Sequence, residues 1–268
     1  MKISVLVTTH NRPDYLRKAL ASYLDQTRLP DELIIADDGS GSDTRAVVDA
    51  FADEAPFRVV HAWQPHTGIP RLSHLRNLGT RSITGDYIIY TDGDCIASRH
   101  FVADHERLAR PGWFVQGKRA WVKYKALDEF TGRESLLKKL WLCATGGLTK
   151  PHWLLHLSGM GLTNKTIEHI QSCNLAVFRE DVIRINGWNE QFLGFWMQDS
   201  EFALRLIRSG VQRCDALFCA MVYHLEHEKP RSETDLKRNQ ALLENAHTSA
   251  VFEQHGLYPD AVVGNKAA

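Results

Sequence analysis

The stretch GDYIIYTDGDC, residues 85–95, decides how this chain is read. Its apolar run stops at Thr91, and Asp92 and Asp94 then flank Gly93. Like charges this close repel, and each is costly to take out of water. In isolation the D-G-D would be a solvated turn, since Asp and Gly are common turn residues. Its position argues otherwise. Residues 86–91 read as a buried strand, and the residues before them alternate strand and helix.

Residues 3–7 are a short, β-branched, nearly continuous apolar run, the pattern of a strand buried on both faces. TTHNRPD follows as a loop, and Pro13 suits the first turn of a helix. Leu16, Ala19, Leu20, Tyr23 and Leu24 recur at helical spacing. Residues 33–36 form a second strand, ending at Asp37-Asp38-Gly39-Ser40. Residues 44–51 read as a helix with Asp43 at its N-cap, 58–63 as a third strand, and 72–83 as a helix that Gly79 weakens. This alternation predicts βαβ units in an α/β fold, a Rossmann-like, mostly parallel sheet flanked by helices. Ligands of such sheets sit beyond the carboxyl ends of the strands. Thr8-Thr9, Asp37-Asp38 and Asp92–Asp94 all fall on that edge. Packed carboxylates there need a cation, and oxygen ligands suit Mg2+ or Mn2+, which often bridge to substrate phosphates.

The second half is less regular. Strands are expected within 113–122 and a helix at 134–142. Residues 200–209 predict an amphipathic helix with Phe202 and Leu206 inward, closed by Gly210. Residues 220–223 read as a strand leading to HLEHEKP, 236–247 as a polar helix, and the tail after Gly264 as frayed. Residues 141–162 are rich in Trp and Leu, and two readings compete. They are core or lid packing, which aromatics and leucines usually mean, or an acceptor-side surface facing a membrane, with Lys138, Lys139 and Lys150 beside it.

Composition narrows the function classes. The chain has 268 residues, 44% hydrophobic and 24% charged, enough for an ample core in one large domain or two small ones. Lys+Arg and Asp+Glu are both 32, so the basic excess that usually marks nucleic-acid binding is missing. Five cysteines, none in a C-x-x-C pair, give no reason to expect a disulfide framework or structural zinc. The apolar part of MKISVLVTTHN is short for a signal peptide, and no run approaches the roughly 20 apolar residues of a membrane span. The expected compartment is the cytoplasm.

Taken together, ISVLVTTHNRPDYLRKALASYLDQT, DELIIADDGSGSDT and RNLGTRSITGDYIIYTDGDC resemble the nucleotide-sugar-binding start of family 2 glycosyltransferases of the GT-A fold, ending in that fold's D-x-D motif. The likeness resumes at SCNLAVFREDVIRINGWNEQF and FWMQDSEFALRLIRSG. It implies a single domain with a nucleotide-sugar-binding half at 1–97 and a mixed acceptor-binding and catalytic-base half at 98–268. It also implies inverting, metal-dependent transfer of a hexosyl or N-acetylhexosaminyl group from a UDP-sugar. The acceptor would be a carbohydrate or lipid-linked carbohydrate, as in bacterial polysaccharide synthesis.

Carried over residue by residue, the resemblance has Thr8 and Asn11 line the uridine pocket with Arg12 near it. Asp38, with Asp37 beside it, would bond the uracil, and Arg76 would approach the nucleotide-sugar. Asp92 would contact ribose or sugar, and Asp94 would ligate Mn2+ or Mg2+. Relatives often place a histidine metal ligand after a late strand, which His224 matches, with His227 as the alternative. An inverting transfer needs a carboxylate to take the acceptor proton. Asp199 in QDSEF fits, although it also stands where a helix N-cap belongs. Gln198 departs from the acid that relatives often carry there, and Glu201 is the fallback. His10, His61, His66 and His74 read as structural or surface residues.

Other classes fit less well. A haloacid-dehalogenase-type phosphatase needs its nucleophile where ADDGS has Ala36. DGSGSDT lacks the third glycine of a dinucleotide-binding G-x-G-x-x-G. A sugar-nucleotide-binding module without catalysis would not need Asp199.

Overall fold

The computed structural model describes residues 1–228 and 232–259, leaving out the side chain of Trp153. The expected frayed tail after Gly264 lies outside them. Strands β1 (Ile3–Thr9), β2 (Glu32–Asp37), β3 (Arg58–Trp63) and β4 (Tyr87–Asp92) alternate with helices α1 (Pro13–Ala21), α2 (Ser42–Glu54) and α3 (Leu72–Arg81). Every residue of β1 and β2 is buried, as continuous apolar runs require when helices cover both faces. Alternate side chains serve the two layers. Val5, Val7 and Ile35 meet Leu16, Leu20 and Phe51 on one side. Leu6, Ile34 and Tyr90 meet Leu75, Trp188 and Phe202 on the other.

Beyond β4 the chain runs through β5 (Cys95–Ala97), α4 (Phe101–Leu108), β6 (Trp113–Gln116), β7 (Lys118–Val122), α5 (Leu136–Ala144), β8 (Gly161–Asn164), β9 (Asn174–Phe178), α6 (Arg179–Arg184), α7 (Gln198–Arg208), β10 (Gln212–Ala216), β11 (Met221–Leu225) and α8 (Glu233–Ala246). The large sheet has the order β3-β2-β1-β4-β9-β6-β10-β8, and a small sheet has the order β5-β11-β7. β1 pairs in parallel with β2 and β4, and β2 with β3. β9 lies antiparallel between β4 and β6, so the second half is mixed, as expected.

Several local expectations change. The strand region 113–122 divides at Gly117 into two strands of different sheets. A Cβ at Gly117 would lie within 2.3 Å of the Asn174 side chain, so the crossing is open only to glycine. Asp43 is not the N-cap of α2. That helix starts two residues earlier, at Ser42 with Gly41 at the cap, and Asp43 sits in the first turn, where its charge faces the positive helix end. The late strand extends to Leu225, so His224 lies inside it rather than after it. Residues 141–162 divide: Leu142 and Leu148 are core, whereas Trp141, Leu155 and Leu162 are 60%, 56% and 58% exposed. Leu142 turns inward instead, against the cluster under the small sheet, and its contact seats the helix without the others.

Candidate functional site

The parallel strands end together. Thr8 stands beside Asp92, and Thr9 beside Asp37. This register lets Thr8 Oγ1 donate to Asp92 Oδ1 at 2.7 Å. The Gly93 amide closes onto the Thr8 carbonyl at 2.7 Å. The chain then leaves the large sheet for β5 in the small one, which places Asp94 at the seam between them. Because Cys95 pairs with His224 across β5 and β11, the His224 ring arrives beside Asp94.

A cleft of about 600 Å³ opens on this edge. Thr8, His10, Arg12, Asp38, Asp92, Asp94, Ser172, Trp196, Asp199 and His227 line it. At its seam, His227 Nε2 lies 2.7 Å from Asp94 Oδ2, His224 Nε2 lies 3.4 Å from Asp94 Oδ1, and Arg12 Nη1 lies 3.5 Å from Oδ2. His224 is fully buried under the Trp121 ring, 4.3 Å between centroids. One carboxylate oxygen and two imidazole nitrogens within 4.8 Å of one another can hold a divalent ion, and the mixed N/O donor set suits Mn2+ better than Mg2+.

Asp92 has different company. Besides Thr8 it meets Arg76, whose Nη2 is 3.5 Å from Oδ1. Arg76 is 1% exposed, donates to Ser172 Oγ at 2.8 Å and lies over the Trp188 ring at 4.8 Å. Among the described residues its Nε and Nη1 have no hydrogen-bond partner, which leaves donors for an anion. Asn77, next in the same motif, bonds Trp188 through both ends of its amide, accepting from N and donating to O. That fixes the loop carrying the indole under Arg76.

Asp38 and Asp37 diverge. Asp38 lines the cleft, with Oδ1 accepting from Gln64 Nε2 at 2.5 Å and Oδ2 at 2.8 Å from His66 Nδ1. His66 stacks on His10 at 4.4 Å, so these two histidines belong to the same end of the cleft. Gly39, at φ +79°, admits the backbone of His66, which a Cβ would meet at 2.3 Å. Asp37 faces away from the cleft, accepting from the Ser40 amide and meeting His61. Burial alone would raise its carboxyl, but the His61 and Ser40 contacts outweigh burial and hold it below the usual range. Asn11 also stays outside the cleft wall and accepts from the Gly41 amide.

Asp199 also lines the cleft. It is not the N-cap of α7, because Gln198 is already helical and Met197 takes the cap position. Its Oδ1 accepts from the Ser200 amide at 2.9 Å, and its Oδ2 lies 3.4 Å from the Ser172 amide. Burial raises its carboxyl above the usual range, against the opposing pull of Arg76 and these amides. Glu201 is buried and bound to Arg205 at 2.6 and 3.0 Å, so it is spent inside the helix layer.

The loop before Asp199 carries strain that sequence patterning did not show. Trp196 and Met197 have φ of 84° and 69°, which cost about 1–3 kcal/mol each for residues of this size. Asn239 of α8 holds the loop. Fully buried, its Nδ2 reaches the carbonyls of Leu193, Phe195 and Trp196 at 3.0–3.1 Å. Asn239 lies in a stretch read only as a polar helix, and an Asn there gives no sequence signal. A second pocket of about 370 Å³ adjoins the cleft, sharing Arg119, Trp121 and Gln171 with it and adding Lys118, Lys150 and Arg213.

Comparison with known proteins agrees with this fold. The family model described as "Glycosyl transferase family 2" matches residues 4–184, and one described as "N-terminal domain of galactosyltransferase" matches residues 162–228. The hyaluronan synthase of Pasteurella multocida is 27% identical over 252 residues, 87% of this chain and 25% of that protein, so the chain spans about a quarter of it. Residues 1–349 of S. aureus TarS, in complex with UDP, superpose with a TM-score of 0.63 at 15% identity, covering 92% of this chain and 65% of that one. GalNAc-T7 with UDP, GalNAc and Mn2+ gives a TM-score of 0.67 at 14% identity, over 91% of this chain and 48% of that one. At these identities the structural likeness shows the fold, and the fold is the GT-A one that the sequence resemblance implied. With its match running from the first strand through α6, the chain belongs to glycosyl transferase family 2.

Proposed function

We propose that this chain is an inverting glycosyltransferase that moves a sugar from a UDP-sugar to an acceptor hydroxyl in polysaccharide or glycoconjugate synthesis. The observation that carries this reading is one cleft lined by two chemically different sets of groups. Asp92, Asp94 and His227 are one, and the other is a carboxylate, Asp199, whose proton affinity burial has raised. Residues 1–97, joined by His224 and His227, would supply the donor side, and the rest of residues 98–268 the acceptor side.

Asp94, His224 and His227 would hold a divalent metal, which when bound would neutralise charge developing on the leaving diphosphate. Asp92 would fix the ribose or sugar, itself held by Thr8 and Arg76. The free donors of Arg76 would point to the donor's anionic part. Asp38 and His10 form the base end, while Asp37 and Asn11 would act from behind by holding the turn at Ser40 and Gly41. The acceptor would enter past Trp121 from the adjoining pocket. Asp199 would take the proton from its attacking hydroxyl, and a base works best when its pKa approaches the operating pH.

A screen of UDP- and GDP-sugars with Mn2+, read as released nucleotide, tests this reading. The expected result is turnover of one UDP-sugar, faster when the right acceptor is present. UDP binding without release from any donor would leave a binding module instead. Asn239→Ala tests the loop. Freeing the Phe195 and Trp196 carbonyls, while Leu193 keeps Arg238, should cost about 1–3 kcal/mol of stability. Displacing Asp199 should lower kcat by about 10–100-fold with little change in donor KM. Equal losses in kcat and donor affinity would mean that Asn239 only supports the fold.

A further inference from the structure

Of the fifteen large hydrophobic side chains exposed among the described residues, nine fall between residues 124 and 162. Scattered exposed apolar residues are ordinary, whereas a concentration of this kind marks an interaction surface. α5 is its centre. Leu137, Leu140 and Trp141 are spaced three and four apart and so share a face, at 79%, 42% and 60% exposure. Opposite them, Leu142 packs under the small sheet, and Lys139 lies over the Tyr223 ring at 4.9 Å and donates to the Gly132 carbonyl. Ser135 caps the helix. The inward contacts therefore hold α5 in place, and Leu137 and Trp141 stay mostly in solvent. The turn Pro151–Leu154 packs against α5 and leads into Leu155 and Leu157, 56% and 49% exposed.

Charge indicates what covers this face. The whole chain is neutral, yet residues 123–150 hold six Lys or Arg against Asp128, Glu129 and Glu134, a local excess of three positive charges. Lys125, Lys138 and Lys150 are exposed around the apolar face. A helix with Leu and Trp outward and lysines at its margin fits the headgroup boundary of a bilayer. There the indole sits at the interface, the leucines enter the acyl region and the cations meet anionic lipid. We propose that the outer face of α5, with residues 151–157, docks reversibly onto a membrane surface containing anionic lipid. The Leu142 cluster joins α5 to the strands that carry Trp121 and His224. On the glycosyltransferase reading, docking would then hold the acceptor side of the cleft near lipid-linked acceptors, although docking itself does not depend on that reading.

Sedimentation of the full chain with phosphatidylglycerol–phosphatidylethanolamine vesicles tests the proposal, with phosphatidylcholine vesicles as the neutral control. Binding is expected to the anionic vesicles, weakening as salt rises. The double variant Leu137→Glu and Trp141→Glu should lose at least about tenfold in partitioning while keeping its melting temperature and its UDP affinity. Lys125→Gln with Lys138→Gln should lose less and show a flatter salt dependence. Failure of the wild type to sediment with either vesicle overturns the proposal. So does unchanged partitioning of the Leu137/Trp141 variant, or a concentration-dependent dimer that this variant abolishes. UDP affinity and turnover are read separately, so loss of docking and failure of the catalytic reading are distinguishable.

Discussion

Asp199→Asn is expected to lower kcat for sugar transfer by about 10²–10⁴-fold, the usual contribution of a positioned general base. Donor affinity should change little, because on the proposed assignment the carboxylate meets the acceptor's proton rather than the nucleotide. The pH profile gives a second readout. Burial raises the Asp199 carboxyl, with Arg76 opposing, and the base works only when ionised. Wild-type kcat should therefore fall as pH drops through a value above the ordinary carboxylate range, and the variant should lose that acid limb. Stability should move the other way. A carboxyl whose folded pKa is raised contributes stability below its unfolded pKa and loses it as pH rises through the folded pKa. Near neutral pH the ionised Asp199 is a burden, so the Asn variant should melt at the same temperature or higher, as expected for a residue kept for activity. A variant with full turnover would reduce Asp199 to a structural acid in the first turn of α7.

Asp94→Ala should remove metal-dependent UDP binding, by more than about 100-fold, since even groups that merely support a metal ligand are worth 10–100-fold in affinity. Asp94 is the member of the D-x-D pair that faces His224 and His227. Asp92 faces Thr8 and Arg76. Asp92→Ala should therefore weaken UDP-sugar binding and leave its dependence on Mn2+ intact. His227→Ala should resemble Asp94→Ala more closely than Asp92→Ala does. The reverse ranking, with Asp92 carrying the metal dependence, would overturn the division of roles.

The first third of the chain was legible because its strands are continuous apolar runs that end abruptly in polar residues. Ile3 to Thr9 and Tyr87 to Asp92 each state a buried strand and the edge where it stops. Asp199 was legible only through its family context, since an acid before an amphipathic helix equally suits a cap. Backbone geometry removes that ambiguity, because the helix begins at Gln198 and the cap falls to Met197. The small sheet was hard to see because β5 has three residues and its partners come from residues 118–122 and 221–225. Pairing across such distances leaves no local periodicity. For the same reason His227 stood second to His224, although it lies nearer Asp94 in space. Asn239, Asp37 and the exposed face of α5 depend on where a side chain points, and composition reads alike for either direction.

The cleft's assignment as a metal-assisted nucleotide-sugar site is tested most directly by calorimetric titration of the wild-type chain with UDP, once in Mn2+ and once in chelator. Saturable binding is expected in Mn2+, with a large loss of affinity in chelator. Equal affinity in both would remove the metal from Asp94, His224 and His227, and no binding in either would refute the nucleotide-sugar site itself.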